Sequence, residues 1–332
     1  MSKESPHPAA PVLQLATAYW TSRCLHVAAD LGVADVLGDE PQTAEALARS
    51  LGVLPDALHR ILRALANHGV FEHDGERFSH NESSRMLRTG VRGSLRSLAR
   101  MMGLKVHWDA YRELDSALRT GQPPIAQVTQ GGLFPHLAEH PEEAQLFHEA
   151  MAGKSAVQIG SVMQAYDFGA FKTIGDIGGG LGHLLYAVLA KAPQARGVLF
   201  DLPQAIERAR ESNMPRVSYV GGDFFKDPIP PCDAYMMMTV LHDWSDAESI
   251  AILKNLQADA PRGAKLLLIE GVVEPTAREN FILDLDIEML VMTTGRERTG
   301  AEWESMLSRA GFRLTRVIPT LASSSIVEAE LG

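Results

Sequence analysis

The run Leu241-His242-Asp243-Trp244-Ser245-Asp246 sets an imidazole among carboxylates. A neutral imidazole titrates at roughly 6.5, so near neutral pH it takes the proton of a weakly acidic hydroxyl such as a phenol. A carboxylate on its second nitrogen fixes the tautomer and stabilises the imidazolium that forms. Two acids farther along have the chemistry for this: Glu270, and Glu297 within Gly295-Arg-Glu-Arg-Thr299. Asp243 and Asp246 offer a rival use, holding magnesium through oxygen ligands. Magnesium is disfavoured, because Asp246 or Ser245 suits the N-cap of a following helix. No metal is expected.

A second grouping lies upstream. Asp176-Ile-Gly178-Gly179-Gly180-Leu-Gly182 follows an apolar stretch, Thr173–Ile177, that reads as a strand. Glycines at a strand-to-helix turn let the backbone curl and let a ligand approach closely. The spacing fails the dinucleotide pattern, since His183 or Leu185 stands where the last glycine is needed. The triphosphate pattern is absent as well, so the loop is not built for phosphates. Asp201 ends the next strand, 25 residues after Asp176. A carboxylate there can accept both hydroxyls of a ribose. Asp223-Phe224 follows the third strand; Asp223 or its neighbouring backbone suits an adenine amino group, and Phe224 suits the ring face. Ribose and adenine without phosphates point to S-adenosylmethionine, whose sulfonium already activates the methyl group. The protein then has to align an acceptor oxygen and remove its proton.

These groups need a scaffold. From Phe171 the chain alternates strand and helix: strands at 197–200, 217–220, 234–240 and 265–270, helices at 184–192, 203–212, 246–258 and 301–310, and two final strands at 313–317 and 324–328. Such alternation predicts a mostly parallel, doubly wound α/β sheet covered on both faces. Glu270 would end its strand. Before this region the text is helical. One helix is expected over Leu13–Leu37, then a short helix capped by Thr43, then one opened by Pro55 and stopped by Gly69. Asp74-Gly75 between Phe71 and Phe78 reads as a small hairpin, giving helix, turn, helix and wing. Residues 106–165 read as helices broken at Gly121-Gln-Pro-Pro and Gly131-Gly132. Phe147 and Met151 there are candidates to line an apolar pocket for a flat acceptor.

The 332 residues suit about two domains, and two distant cysteines, Cys24 and Cys232, fit a reducing, cytoplasmic setting. No signal peptide or apolar run long enough for a membrane span is seen. The net charge of −10 gives no overall attraction to nucleic acid. Residues 1–105 carry 12 Lys and Arg against 11 Asp and Glu, too even a balance for a DNA-binding wing. Arg85, Arg88, Arg92, Arg96 and Arg100 are read as a solvated helix face. The two helices would instead bury an apolar face against a second copy of the chain.

The glycine loop, Phe200-Asp-Leu-Pro203, Gly221-Gly-Asp-Phe224, Leu241–Asp246 and Gly295–Thr299 stand in an order that resembles small-molecule O-methyltransferases of the caffeic-acid and acetylserotonin type. The likeness covers nearly the whole chain. It implies a Rossmann-like methyltransferase domain with a winged-helix dimerisation domain. The parts would be residues 1–105 for dimerisation, 106–165 as linking helices that contribute to the substrate pocket, and 166–332 for S-adenosylmethionine and catalysis. It further implies His242 as base flanked by Glu270 and Glu297. Donor contacts would be Gly178, Asp201, Asp223, Phe224, Thr239 and Trp244. The implied enzyme is a metal-independent homodimer that releases S-adenosylhomocysteine. Many relatives carry a lysine or arginine just before the histidine motif, where this chain has Met236-Met237-Met238-Thr239-Val240. Ala18-Tyr-Trp-Thr-Ser-Arg-Cys24 is similar to bacterial phenazine methyltransferases and hints at a heteroaromatic phenol. Two alternatives stay open: a DNA-binding regulator that takes S-adenosylmethionine only as ligand, and a drifted relative that decarboxylates or hydroxylates.

Overall fold

The computed structural model describes residues 7–274, 276 and 281–332. The chain divides into two units, Met1–Trp108 with Leu137–Lys154, and Asp109–His136 with Ser155–Gly332.

In the first unit the Thr43 hydroxyl accepts the Ala46 amide at 3.3 Å and starts the helix Ala44–Leu51. Gly52, at φ 68°, ends it in the left-handed region that glycine enters without a Cβ penalty. Pro55 opens the helix Pro55–Asn67, where its missing amide proton costs nothing. Strands β1 (Gln42–Thr43), β2 (Glu72–His73) and β3 (Arg77–Ser79) make a small antiparallel sheet in the order β1-β3-β2. Leu47, Leu62 and Phe78 are fully buried in this winged-helix core.

Two expectations change here. The helix read over Leu13–Leu37 is two helices, Ala9–Asp30 and Val33–Leu37, because Gly32 turns the chain at φ 70°. The five arginines do not share a solvated helix face. Gly90 and Gly93 have positive φ, and the local helices are only Glu82–Arg85 and Arg96–Met102. Arg88 bonds Asp39 at 2.8 Å, Arg96 donates to the Ala29 carbonyl at 2.9 Å, and Arg100 bonds Asp30 at 3.0 Å. They fasten this segment to the end of the first helix and the turns beyond it. Along that helix Leu13, Leu15, Tyr19 and Trp20 stay more than half exposed.

The second unit holds β4 (Thr173–Ile177), β5 (Arg196–Asp201), β6 (Val217–Gly221), β7 (Ala234–Met238), β8 (Lys265–Val273), β9 (Arg298–Thr299), β10 (Phe312–Pro319) and β11 (Ser324–Leu331). The main sheet runs β10-β11-β8-β7-β4-β5-β6, with β9 paired to β8. Pairings among β4 to β8 are parallel, while β11 is antiparallel to both its neighbours. Strand order reverses at β4, between β5 and β7, the place where open α/β sheets bind ligands. Ala234–Met237 and Leu266–Ile269 are fully buried, which explains their unbroken apolar text.

The sequence ends β8 at Glu270, but the strand runs on to Val273. Ser324 of β11 pairs with Gly271, and Arg298 of β9 pairs with Val272. A helix at Phe281–Met292 has no counterpart in the sequence reading. It buries Ile282, Met289, Val291 and Met292 yet exposes Phe281, Leu283 and Ile287, so no single apolar stripe marks it. Among the described residues no helix is long and apolar enough to cross a membrane.

Candidate active site

The chain leaves β4 through Gly178 and Gly180, at φ 69° and 58°. The Gly178 amide donates to the Phe200 carbonyl at 2.8 Å, and the Gly180 amide to Asp201 Oδ2 at 2.7 Å. Asp201 Oδ1 accepts the Leu202 amide at 2.7 Å. A carboxylate has about four acceptor sites, enough to hold these amides and the hydroxyls of a sugar as well. A Cβ on Gly180 would meet nothing within 4 Å, so the loop leaves a cradle there. Asp176 is buried and its Oδ2 has no hydrogen-bond partner. Burial above all, with Asp201 nearby, pushes its pKa up to about 7. An unpaired buried acceptor beside a cradle suits a ligand that carries N–H or O–H groups.

At the end of β6, Asp223 Oδ1 accepts the Phe225 amide at 2.9 Å and Oδ2 meets Lys226 Nζ at 3.1 Å. The amide first, and then Lys226, hold this carboxyl below the usual range. Asn255 Nδ2 pins the loop through the carbonyls of Phe224 (3.0 Å) and Asp227 (2.8 Å). The Trp244 ring meets Phe225 edge-on at 4.9 Å and Phe224 at 6.0 Å, and it stacks on Phe134 at 5.8 Å. A Cβ on Gly178 would lie 3.0 Å from Val240 and 3.6 Å from Phe224. The ends of β4, β6 and β7 therefore close on one crevice.

Thr239 follows β7 at φ 51°, and Val240 returns to the right-handed region. Positive φ strains a β-branched residue. A left-handed residue followed by a right-handed one turns successive amides toward one point, which favours an anion. Glu270 supplies it: its Oε1 accepts the amides of Val240 at 3.0 Å and Leu241 at 2.9 Å. Glu270 is fully buried, and burial above all pushes its pKa up to about 7.

The turn Leu241–Asp243 carries His242, which is 4% exposed. Its Nδ1 lies 2.7 Å from Glu297 Oε1, and an acceptor-only carboxylate there assigns a proton to Nδ1. Nε2 stands 3.6 Å from Asp243 Oδ1, too long for a hydrogen bond. Burial pushes the imidazole pKa down, but Asp243, Glu270 and Glu297 together outweigh it and raise it to about 9. The three acids therefore favour the charged form of the ring.

The segment after the helix Phe281–Met292 closes over this turn. Gly295 runs so near the His242 carbonyl that any Cβ would collide with it, and the Arg296 amide donates to that carbonyl at 2.9 Å. The Glu297 amide donates to Asp286 Oδ1 at 2.7 Å. Ser245, with Glu248 in a capping box, caps the helix Asp246–Asp259; Asp246 bonds Arg298 at 2.9 Å.

Family comparison fits this geometry. The model of the O-methyltransferase domain matches residues 111–313, and that of the O-methyltransferase dimerisation domain matches residues 13–90. The chain belongs to the O-methyltransferase family. This methyltransferase is 39% identical over 324 residues to the phenazine O-methyltransferase of Lysobacter antibioticus, covering 96% of this chain and 95% of that one. It is 35% identical over 311 residues to the mitomycin biosynthesis 6-O-methyltransferase of Streptomyces lavendulae, covering 90% and 88%. Its fold matches human N-acetylserotonin methyltransferase, solved in complex with S-adenosylmethionine, at a TM-score of 0.90, 26% identity and full coverage of both chains.

Within the methyltransferase, Glu270 and Glu297 both reach the His242 turn, one through its backbone and one through its ring. Gly178, Asp201, Asp223, Phe224 and Thr239 stand at or just beyond the ends of β4, β5, β6 and β7, and Trp244 closes the turn that carries His242. Phe147 and Met151 lie on the helix Pro141–Ala165 in the first unit, packed against Met101, Leu146 and Ala150. Sequence reasoning missed Asn255, Asp286 and Arg298. Arg298 stood inside a motif already singled out, but nothing local announced that it would be 1% exposed.

Proposed function

We propose that this enzyme transfers a methyl group from S-adenosylmethionine to a hydroxyl of a small aromatic acceptor, with His242 as base and without a metal. The observation that carries this is the His242 ring on buried Glu297 at 2.7 Å, in the turn that leaves the strand beside the glycine loop. S-adenosylmethionine is the cofactor. When bound it supplies an electrophilic methyl on a sulfonium. Asp201 would hold the ribose, Asp223 with its neighbouring backbone, Phe224 and Trp244 the adenine, and Gly178 and Thr239 would flank the donor. Asp176 offers a buried acceptor.

His242 has to lose the proton that Asp243, Glu270 and Glu297 favour, and the positive charge of bound S-adenosylmethionine would oppose the imidazolium and lower its pKa from about 9. His242 Nε2 then takes the acceptor proton, while Glu297 keeps Nδ1 protonated and oriented. Asp243, Glu270 and Glu297 stabilise the imidazolium that results. Phe147 and Met151 are the proposed apolar contacts of the acceptor. The relatives' phenazine and mitomycin chemistry supports a fused aromatic or quinoid acceptor. A homodimer forms through the N-terminal region, supported by the dimerisation-domain match and by exposed Leu13, Leu15, Tyr19 and Trp20. Residues 1–105 serve dimerisation, 106–165 the acceptor, and 166–332 the donor and the chemistry.

Incubation with S-adenosylmethionine, a chelator and a panel of hydroxyphenazines and hydroxyquinones tests this by product mass. One added methyl per product is expected, with His242→Ala about 10²–10⁴-fold slower. A His242→Ala enzyme at the wild-type rate removes the base. Products without an added methyl remove the reaction, and silence only in chelator removes metal independence.

A further inference from the structure

Arg298 is 1% exposed, and each of its five N–H groups has a partner. Nε donates to Asp246 Oδ1 at 2.9 Å. Nη1 donates to the carbonyls of Leu241 at 3.1 Å and Arg296 at 3.3 Å. Nη2 donates to the Trp244 carbonyl at 2.8 Å and to Ser249 Oγ at 3.4 Å. The guanidinium lies 5.2 Å from the ring centre of fully buried Trp303. Strand β9 fixes its backbone, with Arg298 opposite Val272.

Leu241 and Trp244 are the two ends of the turn that carries His242. The Ser249 hydroxyl reaches the same two carbonyls, at 3.2 and 3.3 Å. Glu270 takes the amides that enter the turn, and the Arg296 amide takes the His242 carbonyl. The backbone around His242 is therefore held on its amide side by the Glu270 carboxyl and on its carbonyl side by the Arg298 guanidinium. Glu297, which holds the ring, directly precedes Arg298, which holds the turn, so one short segment sets both.

We propose that Arg298 is a positioning residue for methyl transfer: its fork clamps the Leu241–Trp244 turn and keeps His242 Nδ1 on Glu297. The proposal rests on His242 acting as the base. A lysine would not replace it. Three donors on one flexible atom cannot span two carbonyls and a carboxylate that a planar fork reaches together.

The test uses full-length wild type, Arg298→Lys and Asp246→Asn, each saturated with S-adenosylhomocysteine. Histidine-¹⁵N NMR reads the titration of the His242 ring, calorimetry reads S-adenosylhomocysteine affinity, and a thermal melt reads folding. In Arg298→Lys the His242 titration is expected to fall by about one pH unit, because the ring loosens from Glu297. S-adenosylhomocysteine affinity falls less than about tenfold, since Arg298 also holds the Trp244 carbonyl, while turnover of a hydroxyphenazine falls about 10²-fold. Asp246→Asn, at a half-exposed position, shows the same changes at smaller size. An unshifted His242 titration in folded Arg298→Lys overturns the proposal, as does a parallel loss of S-adenosylhomocysteine binding. If Arg298→Lys does not fold, the Asp246→Asn titration decides alone. Loss of the base role, shown by an active His242→Ala, leaves the NMR result unchanged, so the two failures are separable.

Discussion

The donor crevice and the His242 turn share the ends of one sheet but are held in different ways. The crevice closes mainly through bonds between adjacent strand ends, such as Gly180 to Asp201, 21 residues apart, with Asn255 reaching in from a helix to pin the Phe224 loop. Side chains 30, 55 and 57 residues away hold the turn: Glu270, Glu297 and Arg298. Neighbouring strand ends are set by the sheet itself, so a lost crevice contact costs ligand affinity. The turn has no sheet ladder of its own, so a lost contact there misaims the ring and costs rate.

The sharpest break of that contrast is Gly295→Ala, whose added methyl meets the His242 carbonyl. Turnover is expected to fall by about 10²-fold or more while S-adenosylhomocysteine affinity, measured by calorimetry, stays within about threefold. A matching loss of affinity would erase the distinction between the two regions. Asp201→Ala is the mirror case. Loss of charge-assisted hydrogen bonds weakens S-adenosylhomocysteine by about 10- to 100-fold and leaves saturated turnover nearly unchanged. A fall in kcat as large as the fall in affinity would contradict it.

Glu297→Gln has a smaller expected effect and sharpens the picture through pH. With His242 as the proposed base, free-enzyme activity would need the neutral ring, so kcat/KM should rise with pH through about 9 in the wild type. Removing the Glu297 charge destabilises the imidazolium, so that limb moves to lower pH while maximal turnover drops about tenfold. A limb that stays in place or moves up contradicts this. The smallest effect is expected at Asp176. Its folded pKa is raised from 3.8 to about 7, so the stability it contributes is present below pH 4 and is lost as pH rises through 7. Asp176→Asn should therefore leave Tm unchanged at pH 4 and raise it by about 2–4 °C at pH 8.5. An equal change at both pH values would show that the carboxyl does not titrate there.

The parts of this protein that sequence reasoning located share a short range of cause. Thr43 caps its own helix, Gly52 stops it, Pro55 opens the next, and β4 to β6 announce themselves as apolar runs between glycines and acids. His242, Glu270 and Glu297 were visible as residue types. Their division of labour was not: Glu270 takes the Val240 and Leu241 amides, and only Glu297 bonds the ring. The arginine series from 85 to 100 misled because its spacing suits a helix that Gly90 and Gly93 interrupt. The helix Phe281–Met292 stayed hidden because its apolar residues, interleaved with Asp284, Asp286 and Glu288, form no single stripe.

The amino-acid order alone settled the alternating strands, the glycine turn after β4, and the set of acids available to one histidine, since these depend on neighbours along the chain. Only the folded sheet decided which acid meets the ring, that the acids around it raise its pKa, and that Arg298 encloses its turn. Those outcomes depend on burial and on groups dozens of residues apart, and the electrostatics of a buried cluster exist only once the sheet has brought its members together.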